Sequence, residues 1–207
     1  MIPMTIGTEE RPLHAVLTAA SGKRQRRAVV FCPPFAEEYA RTHRAGRLLA
    51  QRLAAAGLDA LRFDYFGTGD SAGEDEEFSP DGAVQDALAA IDEARDLGKV
   101  RHVTLVGMRH GALVALRAAS QHRSVDRLVL WDPVVDELPD APLAMDVLML
   151  VSADTPEHER LRSRIAALGA RVTFEDLQCS APWEPVGEDG VGVAPVAALA
   201  RIAGWDA

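Results

Sequence analysis

The residues best placed to do chemistry lie in the run Gly107-Met108-Arg109-His110-Gly111, between an apolar strand pattern and an alanine-rich helical one. Two glycines at a strand-to-helix junction allow a sharp turn that lifts its middle residue above a sheet, where enzymes place a nucleophile. Here that residue is Arg109. A guanidinium stays protonated, offers five N–H donors and has no lone pair for attack. It binds anions, and the free amides and dipole at the start of the following helix favour negative charge at the same spot. The complement is a carboxylate or phosphate, supplied by a ligand or by the chain itself. Glu37, Glu38, Asp64, Asp132 and Asp154 are all expected at this edge of the sheet, and pairing of Arg109 with Glu37 or Glu38 is the preferred reading.

Other candidates are weighed against plainer roles. His110 follows Arg109 and offers a base, although packing or capping is the commoner use of such a residue. Cys32 ends a strand beside the site and would be a nucleophile only if Arg109 stabilised its thiolate, and a buried structural cysteine is the plainer account. Asp70-Ser71 sits in a glycine-rich loop where both side chains bond their own backbone. His43 and His158, near helix starts, read as exposed or capping. No spacing of ligands suggests a metal, and the glycines at Gly67 and Gly69 lack the strand-turn-helix setting of a dinucleotide fingerprint, so no cofactor is expected.

The elements that must position these residues alternate short β-branched runs with longer amphipathic segments, the pattern of a mostly parallel, doubly wound α/β sheet with helices on both faces. The leading strand is expected at His14 to Thr18 and the next at Ala28 to Cys32, stopped by Pro33-Pro34. Apolar positions Ala45, Leu48, Leu49, Leu53 and Ala56 place a helix over Thr42 to Ala56, with Gly57 as its cap. Further strands are expected at Leu58 to Phe63, His102 to Val106, Arg127 to Trp131, Asp146 to Ser152 and Arg171 to Leu177. Helices are expected from Ser79-Pro80 to Leu97, Gly111 to Gln121, Thr155-Pro156 to Gly169, and Pro195 to Ala203. Between Asp132 and Ala144, three prolines leave no room for a crossover helix. No linker or repeat divides the chain, so residues 1–207 read as one domain.

Several of these stretches together resemble a known family. Phe31-Cys32-Pro33-Pro34-Phe35-Ala36-Glu37-Glu38 looks like the oxyanion-side loop of the α/β hydrolases associated with the exosortase system. Arg62-Phe63-Asp64-Tyr65-Phe66-Gly67-Thr68-Gly69-Asp70-Ser71 resembles the following loop in that group and in serine aminopeptidase-like hydrolases, and Leu130-Trp131-Asp132-Pro133-Val134-Val135 a later strand end. The resemblance covers about Val29 to Val135 well and the rest loosely. It implies a catalytic serine at Arg109, a triad acid near Asp154 and a triad histidine after the last strand. No histidine follows His158. Arginine at the elbow is itself a feature of some members of the group. The resemblance further implies that Pro34, Phe35, Glu37, Glu38, Asp64, Tyr65 and Asp132 line the binding site. In family members the segment after Trp131 usually grows into a cap, and its shortness here, from Asp132 to Ala144, leads to the expectation of an absent or vestigial cap and a shallow, open cleft.

Composition narrows the class. The chain has 207 residues, 48% hydrophobic and 26% charged, with a formal net charge of -9. That suits a soluble globular protein and argues against nucleic acid or an anionic membrane as partner. Two cysteines without close spacing, and no exporting or anchoring segment, lead to a cytoplasmic expectation. Two readings follow. One is a protein without serine-hydrolase activity that binds a small anion, an acyl group or a protein partner at the elbow. The other is an ester or thioester hydrolase or acyl transferase using Cys32, His110 or a carboxylate. Dimerisation over surface exposed by the missing cap is an expected way to cover it.

Overall fold

The computed structural model describes residues 1–184 and 193–206. Among them a single sheet runs in the order β1-β2-β4-β3-β5-β6-β7-β8. The strands are β1 (Ile2–Gly7), β2 (Pro12–Thr18), β3 (Arg27–Cys32), β4 (Asp59–Phe63), β5 (His102–Met108), β6 (Val125–Trp131), β7 (Asp146–Val151) and β8 (Arg171–Asp176). β1 pairs antiparallel with β2 and β2 with β4, while β4 through β8 are parallel.

The helices are α1 (Ala36–Ala55), α2 (Pro80–Gly98), α3 (Gly111–Gln121), α4 (Pro156–Ala167) and α5 (Val196–Asp206). They cover both faces, and the alternation along the strands shows it. In β3, Val29 and Phe31 pack with Leu49 and Leu53 of α1 and Ile202 of α5, while Ala28, Val30 and Cys32 join the opposite core with Ala87 of α2 and Leu116 of α3. The central strands are buried on both faces, which is why β5 to β7 read as nearly unbroken apolar runs. From β3 the chain moves to β4 on one side, then crosses to β5 on the other. The crevice where strand order reverses lies at the carboxyl ends of β3 and β5, where Cys32 is in register with Gly107.

The helices and the core strands match the expected order, and the differences are local. β1 was not anticipated. It is an edge strand, so it tolerates Pro3 and leaves Ile2 55% exposed, which hides the usual alternation. Helix α1 starts well before Thr42, because its first turns hang over the site and carry Glu37 and Glu38, acidic residues that suit a helix N-terminus. Apolar periodicity appears only where the helix reaches the sheet. Between β6 and β7 no helix forms, as the prolines dictate, and the strap instead buries Leu143. Among the described residues no large cap stands over the crevice. Among the described residues no helix is long and apolar enough to cross a membrane.

Candidate functional site

The elbow is built by close packing around two glycines. A Cβ on Gly111 would stand 2.2 Å from the Cys32 carbonyl oxygen and 2.4 Å from that of Pro33. A Cβ on Gly107 would stand 2.6 Å from Ala112 Cα. Only glycine lets the turn sit this close to the end of β3. Between them, Arg109 holds φ of 52°, a left-handed conformation that a branched or long side chain rarely adopts. The turn is pinned on both sides: the Arg109 N–H donates to the Trp131 carbonyl at 3.1 Å, and its own carbonyl accepts from Ala112 N–H at 3.0 Å and Val134 N–H at 3.1 Å. His110, at the N-cap of α3, makes no capping bond through its side chain.

The guanidinium of Arg109, a quarter exposed, meets the protein along one edge. Nε donates to Glu38 Oε1 at 3.0 Å and Nη1 to the Asp132 backbone carbonyl at 3.3 Å. The Trp183 ring lies 5.2 Å from its central carbon, a cation–π contact. Among the described residues nothing accepts from Nη2. Glu38 Oε2 is buried without a donor, since His110 Nδ1 stands 3.8 Å away, too far for a hydrogen bond. Phe35 stacks on His110 with ring centroids 6.0 Å apart.

Asp132 is at φ 41° and nearly inaccessible, and its carboxylate is bonded to Ser152 rather than to Arg109. It accepts from the Ser152 N–H at 2.7 Å and from Ser152 Oγ at 2.6 Å. Burial pushes this carboxyl above the ordinary aspartate value, against the Ser152 hydrogen bonds and the charges of His158 and Arg109. Asp154 is half exposed, 3.9 Å from His158 Nδ1. Two cavities open beside Arg109. One of about 400 Å³ is bordered also by Ser152, His158 and Trp183, and one of about 250 Å³ by Val134, Thr155 and His158.

The expected site residues therefore divide. Arg109, Glu38, His110 and Asp132 come together, with Asp154 at the margin. The others do not join them. Glu37 points to solvent and pairs with Arg41 at 3.0 Å, one helical turn on, because the carboxyls of sequence neighbours on a helix diverge. Asp64 accepts from Tyr39 Oη at 2.5 Å and from Asp70 N–H at 3.0 Å, closing its own loop. Tyr65 is buried, and its hydroxyl donates to the Pro33 carbonyl at 3.3 Å. Pro34 and Phe35 border a different cavity of about 420 Å³ with Tyr39 and Phe78. Cys32 is wholly buried and desolvation pushes its thiol up to about 12, which removes it as a nucleophile at neutral pH.

Three residues at the site were not anticipated. Ser152 follows the last residue of β7, a position that points to the site in an open α/β sheet. Trp183 lies in the segment after β8 where the family resemblance implies a triad histidine. His158, read above as exposed or capping, is largely buried and borders both cavities with Arg109. Among the described residues no group of His, Cys, Asp and Glu is arranged to hold a metal ion.

The family described as serine aminopeptidase, S33, matches residues 23–166, well over half of the chain. No curated protein matches in sequence. Solved structures share the fold. A protein of unknown function from Agrobacterium tumefaciens is similar with a TM-score of 0.76 at 17% identity, over 99% of this chain and 93% of that one. An α/β serine hydrolase homologue from Coxiella burnetii gives 0.71 at 16%, over 99% and 94%. A lidless α/β serine hydrolase from Xanthomonas campestris gives 0.70 at 20%, over 88% and 85%.

Proposed function

The chain belongs to the serine aminopeptidase S33 family of α/β hydrolases, and from that premise we propose that it has exchanged serine-hydrolase chemistry for the binding of a small anion at the elbow. One observation carries the reading. Arg109 occupies the turn where a hydrolase presents its nucleophile, with left-handed φ of 52°, and its Nη2 group is left over beside two open cavities. A guanidinium cannot attack a carbonyl or give up its proton to a base. It can hold a carboxylate, a phosphate or the acid end of an acyl compound through charge-assisted hydrogen bonds.

The rest of the site fits that role. No histidine follows His158 in the sequence, so a serine placed at the elbow would have no partner after β8. Glu38 occupies the Nε side of the guanidinium, which fixes the side chain without saturating it. The alternative of a hydrolase using Cys32 loses its nucleophile to burial, and a base role for His110 has no nucleophile to serve.

Two measurements test the proposal. A serine-directed fluorophosphonate is expected to leave the protein unlabelled. Acetate and inorganic phosphate, followed through the fluorescence of Trp183 beside the guanidinium, are expected to bind wild type and not Arg109→Gln. Stoichiometric labelling that blocks an ester-cleaving activity, or anion binding indifferent to Arg109, would overturn it.

A further inference from the structure

His158 is not accounted for by the fold. Its side chain is 12% exposed, and Nδ1 is buried with no hydrogen-bond partner. Asp154 Oδ1 stands 3.9 Å away, outside hydrogen-bonding range. Because Nδ1 has no accessible surface, a molecule in an open cavity can meet the ring only through Nε2, which is neither buried nor hydrogen-bonded among the described residues. His158 borders both of the cavities that Arg109 borders, as does Thr155. A cation and an unmet imidazole thus address the same space.

The charges around that space limit what fits. Asp132 and Glu184 border the larger cavity, and Asp136 and Glu157 the smaller. Glu38 already neutralises part of the Arg109 charge at 3.0 Å. A doubly charged phosphate meets this acidic surround with twice the repulsion of a single carboxylate. The ring nitrogen can donate to or accept from a hydroxyl or an amide, according to its tautomer.

We propose that the cleft takes a small organic monocarboxylate bearing a hydroxyl or amide next to the carboxylate, with the carboxylate on Arg109 and the neighbouring polar group on His158. The Trp183 face and the Val134 side of the strap receive the remainder of the molecule. This rests on the reading of Arg109 as the anion holder, and goes beyond it in assigning His158 to the ligand and in separating carboxylate from phosphate.

The test uses the full chain and three probes: acetate, glycolate (acetate with one added hydroxyl) and inorganic phosphate, titrated by NMR chemical-shift change. Glycolate is expected to bind about fivefold tighter than acetate, the worth of one added hydrogen bond, and phosphate more weakly than either. In His158→Ala, and in His158→Leu, which refills the volume, the ratio of glycolate to acetate affinity falls from about five to about one. Equal affinity for glycolate and acetate, a preference that survives both His158 variants, or tighter binding of phosphate overturns this inference and leaves Arg109 as the anion holder. Failure of all three probes, or binding unchanged in Arg109→Gln, removes the Arg109 reading and this one with it.

Discussion

Arg109 and Glu38 are joined by one hydrogen bond, from Nε to Oε1 at 3.0 Å, while the second carboxylate oxygen is buried with no donor. The pair is therefore half made. Glu38 steadies the guanidinium and also competes with any anion for its charge. Glu38→Gln keeps the shape and an acceptor and removes the competing charge. Anion affinity at Arg109 is expected to rise several-fold. Stability is expected to fall by about 1–2 kcal/mol, between the cost of breaking an exposed pair and a buried one. Titration with acetate and urea denaturation of the same variant read the two effects.

The backbone of the elbow carries its own cost. A non-glycine residue in the left-handed region is strained by roughly 1 kcal/mol, and Arg109 sits there at φ 52°. Arg109→Ala and Arg109→Gly lose the Glu38 pair alike, so the difference between them isolates the strain. Arg109→Gly is expected to be more stable than Arg109→Ala by about 1 kcal/mol in chemical denaturation. Equal stabilities would mean that the turn relaxes once the side chain is gone.

Gly111 is a matter of space rather than of φ. Its Cβ would press into two backbone carbonyls at 2.2 and 2.4 Å, neither of which can swing away without moving the end of β3. Gly111→Ala is expected to cost roughly 3 kcal/mol or more. Gly204, in α5, has nothing within 4 Å of a Cβ, and Gly204→Ala is expected to stabilise by about 0.5 kcal/mol through helix propensity. Thermal unfolding of the two variants gives opposite shifts if packing, and not the glycine itself, sets the requirement.

The fold was legible because it rests on local patterns: the buried β3, β5, β6 and β7 runs, the Ser79-Pro80 and Thr155-Pro156 helix starts, and the prolines that bar a crossover helix after Trp131. The elbow was legible too, because its glycines are spaced along one stretch of chain. What escaped depended on direction and depth. Glu37 and Glu38 look equivalent as letters, yet the helix that carries them sends one to solvent and one to Arg109. Asp64 follows β4 and Asp132 follows β6 at the same edge of the sheet, with β3 and β5 between them, but each is claimed by local donors, Tyr39 and Ser152, that no spacing rule connects to them. A helix-start histidine is usually exposed, whereas His158 is largely buried and borders the cavities it shares with Arg109.

Asp132 offers a check on whether burial or charge dominates at this site. Desolvation raises its carboxyl above the ordinary value of 3.8, outweighing the Ser152 hydrogen bonds and the nearby charges of His158 and Arg109. The folded chain then binds this proton more tightly than the unfolded chain. The resulting stabilisation is fully present below the unfolded value and is lost as pH rises through the raised one. Asp132→Asn cannot titrate, yet still accepts from the Ser152 N–H and can donate to its hydroxyl. Groups that do not interact with Asp132 titrate alike in both proteins and cancel, which leaves Asp132 together with His158, whose charge is coupled to it. The stability of wild type minus that of Asp132→Asn is therefore expected to fall as pH increases above 3.8, by at most about 1.4 kcal/mol per pH unit, and to level off once the carboxyl is ionised. Urea denaturation of both proteins between pH 4 and pH 7 (roughly one and a half decades either side of mid-range) gives the difference curve. A difference that grows with pH would show that Arg109 and His158 hold the carboxylate in its charged form, reversing the order of the two effects.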